Sequence, residues 1–78
     1  MYGGAIFEVE AHITGTVWLV AVAVGDEVAE GDEVVVLESM KMEMPVEAEQ
    51  GGVVERILCE KGQSVNEGEA LLVLRTEP

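Results

Sequence analysis

The chain has 78 residues, of which 16 are acidic and only 4 are Lys or Arg, so its formal net charge is −12. This length accommodates one small domain. The charge argues against nucleic acid and anionic membrane surfaces as partners, because both attract a basic surface. A hydrophobic content of 49% is too high for a disordered acidic tail. We therefore expect one folded, acidic domain.

The predicted elements are short runs of β-branched residues separated by turn residues. Ile6–Glu10 alternates apolar and acidic side chains, as a half-buried strand does. Residues 16–24 and 33–38 are predicted strands, with turns at 25–27 and 29–32 between them. The second part of the chain has the same order: strands at 53–58 and Ala70–Arg75, with turns at 62–64 and 66–69. The sequence therefore predicts an all-β fold.

A helix over residues 32–44 is the competing interpretation, because no Gly or Pro interrupts that segment. Three consecutive valines, Val34 to Val36, disfavour it because β-branched side chains are restricted in a helix. Pro45, immediately after the segment, also counts against a continuing helix.

An internal repeat appears when the chain is shifted by 37 residues. Eight of the 24 pairs between 15–38 and 52–75 are identical, and no gap is needed. Shared glycines indicate shared turns or close backbone contacts. The chain is therefore predicted to contain two copies of one unit. The identical pairs are Gly15/Gly52, Val17/Val54, Gly25/Gly62, Val28/Val65, Glu30/Glu67, Gly31/Gly68, Val36/Val73 and Leu37/Leu74.

The repeat also predicts which side chains face the core. Positions that are apolar in both copies should be buried, which selects Val17, Val20 and Val22 in the first copy. Trp18 and Leu19 match the charged pair at 55–56, so we expect them on the solvent side. For Trp18, a cap on the core and a contact with a partner remain alternatives.

Reactive residue types are scarce. Cys59 is the only cysteine and His12 the only histidine, which argues against internal disulfides, zinc sites and catalytic groups that need several such residues. Cys59 is predicted to be a small core residue. The longest apolar run, residues 17–24, is far shorter than the ~20 residues of a membrane span. No basic residue precedes Lys41, so a signal peptide is not indicated. We expect a cytoplasmic protein.

The segment between the copies, residues 38–46, contains three of the four methionines and one of the two lysines. We predict that it lies outside the repeated unit and forms a hairpin with Lys41 at its tip. Taken alone, such a lysine is usually a solvated charge. Met40, Met42 and Met44 at period two also fit one buried face of a strand.

The segment Glu38, Ser39, Met40, Lys41 and Met42 resembles the biotin attachment site of biotinyl carrier domains, the biotin carboxyl carrier proteins. The resemblance extends over residues 6–74, including Gly-Thr-Val at 15–17, Glu-Gly-Asp at 30–32 and Gly-Gln-Ser-Val at 62–65. It implies the lipoyl/biotinyl fold, a flattened barrel-sandwich of two four-stranded antiparallel sheets with quasi-twofold symmetry. The domain would span residues 6–76, between tails at 1–5 and 77–78. A gap-free first half implies the thumbless type.

The resemblance also implies a function. Lys41 would carry biotin in amide linkage, attached by biotin protein ligase, with Glu38, Ser39, Met40 and Met42 as the flanking residues that the ligase recognises. Biotin carboxylase and carboxyltransferase would use this biotin to carry carboxyl groups. Because a lysine amine is almost entirely protonated at neutral pH, we expect the base that deprotonates it to belong to the ligase. The chain itself would hold no catalytic residue and no metal.

Three other functions are alternatives to a biotin carrier. A lipoyl domain shares the repeat and the hairpin lysine, but usually has Asp before the lysine and Ala after it, whereas both neighbours here are Met. An unmodified barrel-sandwich, as in membrane-fusion adaptors, gives no reason for Met-Lys-Met at a tip. An enzyme is least favoured, because the many carboxylates fit a solvated acidic face.

Overall fold

The computed structural model describes residues 4–76. All regular structure in this part of the chain is β, so the all-β prediction is confirmed and the helical alternative over 32–44 is wrong. Of the predicted tails at 1–5 and 77–78, residues 1–3 and 77–78 lie outside the described residues. The strands are β1 Ile6–Glu10, β2 Gly15–Val20, β3 Glu27–Val28, β4 Glu33–Ser39, β5 Met42–Glu47, β6 Gly52–Ile57, β7 Ser64–Val65 and β8 Ala70–Arg75.

The strands form two four-stranded antiparallel sheets, as the resemblance implied. Sheet A has the order β1-β8-β6-β3 and sheet B the order β5-β4-β2-β7. Each sheet therefore takes two strands from each half of the chain. Pro45 is accommodated within β5 because β5 is an edge strand, where a missing N–H leaves no interior ladder bond unmade. Over the described residues, no helix has the length and hydropathy needed to cross a membrane.

A quasi-twofold relation connects the sheets. The strands β1, β2, β3 and β4 correspond to β5, β6, β7 and β8 at an offset of 37 residues. Exchanging each strand for its counterpart converts the strand order of sheet A into that of sheet B. Backbone hydrogen bonds repeat in the same way: the Val17 amide donates to the Gln63 carbonyl at 2.8 Å, and the Val54 amide to the Asp26 carbonyl at 2.9 Å. Neither half contains an insertion, which agrees with the thumbless type.

The repeat is longer than predicted. Because β5 is the counterpart of β1, only Met40 and Lys41 lie between the last strand of the first copy and the first strand of the second, and the prediction that 38–46 stands outside the repeat is wrong. The sequence carried a signal for this: Val-Glu-Ala at 9–11 recurs at 46–48, at the same offset of 37. The preceding positions, 5–8 and 42–45, share no residue, so the match is short.

The turns explain two further differences from the predicted strands. β2 ends at Val20 rather than at residue 24, since the chain then enters a turn in which the Ala23 amide donates to Asp26 Oδ2 at 2.9 Å. The equivalent Glu60 amide donates to Gln63 Oε1 at 3.1 Å. Two-residue strands β3 and β7 were missed, as each is defined only by pairing with a distant strand. β3 pairs with β6, and β7 pairs with β2.

The core lies between the sheets and contains equivalent residues from both halves. Val17 and Val54 are each 1% exposed, while Leu37 and Leu74 are 0% and 1% exposed. Val20 and Val22 are partly buried and pack against this cluster, as predicted. Cys59 is buried, which confirms its predicted place in the core. No polar or charged side chain within 4–76 is buried.

Candidate functional site

The hairpin between the two halves places Lys41 at its tip, as predicted. β4 and β5 pair in antiparallel register, with Ser39 opposite Met42 and Glu38 opposite Glu43. The loop between them consists of Met40 and Lys41, with φ angles of 53° and 65°. Positive φ at both central residues is the mark of a type I′ turn, whose twist matches that of the flanking strands. The lysine therefore extends beyond the end of a regular two-stranded ladder.

This turn is made without the residues that normally form it. Type I′ turns favour Asn-Gly or Asp-Gly, but neither loop residue is of that kind. Within residues 4–76, Met40 and Lys41 are the only non-glycine residues with positive φ. Such a conformation costs an L-residue about 1–2 kcal/mol and persists where surrounding structure determines it. Here the six paired positions of β4 and β5 do so, and turn propensity alone could not have predicted it.

The base of the hairpin is held by close packing against β2. A Cβ atom placed on Gly15 would lie 2.6 Å from the Glu38 carbonyl oxygen, so only glycine permits this approach of β2 to the end of β4. Gly15 also pairs with Val65 of β7. Strands from both halves therefore fix the hairpin base, while its tip projects.

The side chains around Lys41 are open to solvent. Met40 is 92% exposed and Met42 is 59% exposed, so the alternative that the methionines form one buried face is wrong. Only Met44, further down β5, is half-buried, because the core ends before the tip. Glu38 and Ser39 are half-buried and Lys41 is exposed. The hairpin thus brings together all the predicted site residues.

The electrostatic surroundings leave the lysine accessible. Among the described residues, the ion pair that forms is Arg75 Nε with Glu55 Oε1 at 2.9 Å, which lies in sheet A. Lys41 makes no ion pair with any residue of 4–76, although Glu38 and Glu43 form the second pair of the ladder below the loop. Its amine can therefore meet an incoming acyl group without first breaking a salt bridge.

Other reactive groups do not form a site. Burial, and secondarily the charge of Glu69, raise the pKa of the Cys59 thiol, which disfavours the nucleophilic thiolate. His12 lies beside an open acidic groove of about 580 Å³ that is also lined by Glu10, Glu30 and Glu49. No cluster suited to a metal ion occurs within 4–76. Lys61 is exposed in the turn before Gly62, at the position equivalent to Val24.

These features define a class: a barrel-sandwich domain that presents one exposed lysine on the hairpin between two equivalent halves. The Biotin_lipoyl family, described as "Biotin-requiring enzyme", matches residues 5–74. The chain belongs to this biotin/lipoyl attachment family.

Two relatives and one solved structure illustrate the similarity. The Biotin/lipoyl attachment protein of Bacillus subtilis is 44% identical over 66 residues, which cover 85% of this chain and 90% of that protein. The biotin-dependent acyl-coenzyme A carboxylase alpha3 subunit of Mycobacterium leprae is 45% identical over 67 residues, 86% of this chain but only 11% of that protein. A single-chain, multi-domain long-chain acyl-CoA carboxylase structure has a TM-score of 0.85 and 36% identity, and the match covers 100% of this chain and 8% of that chain.

The chain therefore corresponds to nearly the whole of a small relative and to a small part of the large carboxylases. What the two groups share is the attachment domain with its hairpin, rather than any of the larger proteins' other segments.

Proposed function

We propose that this chain is a biotin carboxyl carrier whose biotin is attached to Lys41 through an amide bond. The observation that carries the proposal is the hairpin itself. Its tip presents a solvent-exposed primary amine between two exposed methionines, on a base that packing holds rigid. A carrier needs this combination, because one enzyme must modify the amine and others must then reach the attached group.

The residues present fit the covalent group. A lysine side chain provides both a nucleophile and a flexible four-carbon arm. Met40 and Met42 are polarisable and adaptable in shape, which suits a surface that several enzymes contact in turn. Glu38 and Ser39 lie at the hairpin base, close enough in sequence to be contacted together with the tip. We assign these four flanking residues to recognition by biotin protein ligase.

The attachment step balances as an acyl transfer. The neutral Lys41 amine attacks the acyl carbon of biotinyl-adenylate, a C–N bond forms, and AMP leaves with the electrons of the broken C–O bond. The proton released from nitrogen passes to a base of the ligase, since no side chain among residues 4–76 forms an ion pair with the amine. Loss of the lysine charge takes the formal net charge from −12 to −13.

When bound, biotin supplies a ureido nitrogen that accepts a carboxyl group at one active site and releases it at another. The role of this domain is to position that group. Tethering raises its effective concentration at both active sites. We propose that biotin carboxylase and carboxyltransferase perform the two transfers and that this chain catalyses neither. A cytoplasmic location, where ATP is available for ligation and carboxylation, completes the proposal.

The test is the intact mass after co-expression with biotin protein ligase in medium containing biotin. We expect a gain equal to biotin less one water. Lys41→Arg should abolish the gain completely while leaving the far-UV circular dichroism spectrum unchanged. Lys61→Arg is the matched control, because Lys61 is also exposed but lies in a repeated turn; it should biotinylate like the unmodified sequence.

Biotin on Lys61, or retained in Lys41→Arg, would contradict the assignment. A lipoyl gain with lipoate ligase, and no biotin gain, would make the chain a lipoyl carrier instead. No gain with either ligase would leave an unmodified barrel-sandwich scaffold.

A further inference from the structure

The outer surface of sheet B carries an apolar row at right angles to its strands. Leu19 of β2 pairs with Val36 of β4, and Val36 pairs with Pro45 of β5. Directly paired residues of an antiparallel sheet lie on the same side. Val36 lies on the outer side, because its neighbours in β4 are fully buried while it is only partly buried. We call Trp18, Leu19, Val36 and Pro45 the apolar face.

A β-bulge adds Trp18 to this row. The register of β2 against β4 shifts between Val17 and Leu19, so that Trp18 and Leu19 together stand opposite Val36. Trp18 is 46% exposed and Leu19 is 47% exposed. A tryptophan of that exposure presents about 100 Å² to solvent. The bulge therefore displays two large apolar side chains next to each other.

The fold does not require apolar residues at these positions. The symmetry-equivalent bulge in β6 places Glu55 and Arg56 opposite Val73, which pairs with Glu8 of β1. There, Glu55 forms an ion pair with Arg75, and Val73 is only 8% exposed. The same backbone geometry is thus covered by charge in sheet A and left apolar in sheet B. Structural necessity does not explain the apolar face.

The charged residues around the apolar face indicate what kind of partner surface binds it. The next row of sheet B, toward the hairpin tip, pairs Thr16 with Glu38 and Glu38 with Glu43, so acidic residues border the apolar face. A second copy of this chain would bring its own charge of −12 against this border, which disfavours self-association. A partner with an apolar centre and a basic rim is complementary.

The position of the apolar face relates it to the modified lysine. Val36 and Met40 are four residues apart along β4 and its loop, roughly 13 Å in an extended strand. A partner seated on the apolar face is therefore adjacent to the tip without covering it, which leaves the arm of Lys41 free to enter an active site.

We propose that the apolar face is the docking surface for the enzyme that carboxylates the biotin on Lys41, which meets it with an apolar centre and a basic rim. The inference rests on the proposed function. An apolar area of a few hundred Å² or less belongs to weak, transient contacts, and a carrier must leave each enzyme after every transfer.

The test uses the double substitution Trp18→Glu with Leu19→Arg, which installs the residues that the equivalent bulge already accommodates at 55 and 56. Holo-protein is prepared with biotin protein ligase, and biotin content is measured by intact mass. The probe is a purified biotin carboxylase selected because it accepts the unmodified holo-chain, assayed by ADP release. We expect KM for the carrier to rise at least about tenfold, with little change in kcat. For the unmodified sequence, KM should also rise with added salt.

Three controls separate docking from folding and from enzyme damage. The double variant Glu55→Ala with Arg56→Ala alters the equivalent face of sheet A and should leave KM unchanged. Trp18→Ala, a milder change, should raise KM by a smaller factor, while circular dichroism and the rate of ligation stay unchanged. The carboxylase rate on free biotin must be the same in every assay.

An unchanged KM for the fully biotinylated double variant would overturn the inference and leave the proposed function intact. A concentration-dependent dimer of the unmodified chain that the double variant abolishes would overturn it in favour of a second copy as the occupant. Absence of biotin before any carboxylase is added would overturn the proposed function instead, and is detected at a separate step.

Discussion

The β4–β5 hairpin and the β8–β1 pair are equivalent ladders, but only the hairpin has its two strands joined directly. In the hairpin, Ser39 pairs with Met42 and a strained two-residue turn closes the end. At the equivalent place in sheet A, the Thr76 amide donates to the Ala5 carbonyl at 2.8 Å without any connecting turn. The ladder therefore holds its strands together without the connection. The turn residues are released from a structural role and available for function.

A second contrast is between the core of the domain and its surface. Equivalent core positions have nearly identical burial in the two halves, whereas equivalent surface positions differ in chemistry. Packing imposes the twofold symmetry in the interior, and nothing imposes it on the solvent side. Departures from symmetry at the surface are therefore the best places to look for function, and the hairpin tip and the apolar face are two of them.

The largest expected effects test the symmetry of the core. Leu37→Ala and Leu74→Ala should each lower the free energy of unfolding by about 2–5 kcal/mol, and by similar amounts, because both side chains are fully buried. Urea unfolding followed by circular dichroism measures this. Leu19→Ala, in an exposed position, should change it by less than about 0.5 kcal/mol. A large difference between the two core variants would show that the halves contribute unequally.

The next largest effects on stability are expected at two glycines that make close backbone contacts. Gly15→Ala and Gly52→Ala should destabilise by about 1–3 kcal/mol, with the larger effect at Gly15. The added Cβ would lie 2.6 Å from a carbonyl oxygen at Gly15 and 2.9 Å at Gly52. The two variants should differ in the rate of ligation. Gly15→Ala displaces the hairpin base and should slow biotinylation. Gly52→Ala acts at the equivalent position in sheet A and should leave the rate of biotinylation unchanged. Equal ligation rates would argue that the ligase does not need a rigid base.

The strain in the turn should be measurable as a gain in stability. Met40→Asn places a residue that tolerates positive φ at the first loop position and should raise the free energy of unfolding by about 0.5–1 kcal/mol. Little packing is lost, because Met40 is 92% exposed. Met42→Asn is the control, since Met42 lies in β5 outside the positive-φ turn, and it should bring no gain. We expect slower ligation of Met40→Asn despite its greater stability.

The smallest effect concerns Cys59, whose equivalent is Val22. Burial and Glu69 raise the thiol pKa from its ordinary value of 9.0. A raised pKa means that the folded state favours the neutral thiol. The resulting contribution to stability is complete below about pH 9 and is lost as pH rises through the higher pKa of the folded state. Cys59→Val should remove this dependence. The measurement is the free energy of unfolding between about pH 8 and pH 11. The same pH dependence in Cys59→Val and in the unmodified sequence would contradict this role of the thiol.

Much of this architecture was predictable because its determinants are local. Glycines at 25, 31, 62 and 68 all have positive φ, and β-branched runs between them became strands. The extension of the repeat through β5 was harder to detect, since β1 and β5 share a backbone conformation but few side chains. β3 and β7 were missed because a two-residue strand has no pattern of its own and exists only through its distant partner.

The site was predicted as a set of residues but not as a geometry. Glu38 to Met42 were identified together, and the structure places them on one hairpin. The left-handed conformation of Met40 and Lys41 contradicts the local preference of both residues, so no propensity rule could anticipate it. It arises because the ladder on either side leaves two residues to reverse the chain.

The two-copy plan, the turns and the lysine of the central hairpin were predictable from the amino-acid sequence, because these depend on residue type at fixed spacing. The tertiary structure was needed to show how the halves interlock, with two strands from each half in each sheet, and how the solvent-facing apolar residues come together in one row. Sheet pairing brings together residues far apart in the chain. For that reason the row from Leu19 through Val36 to Pro45 exists only in the folded protein.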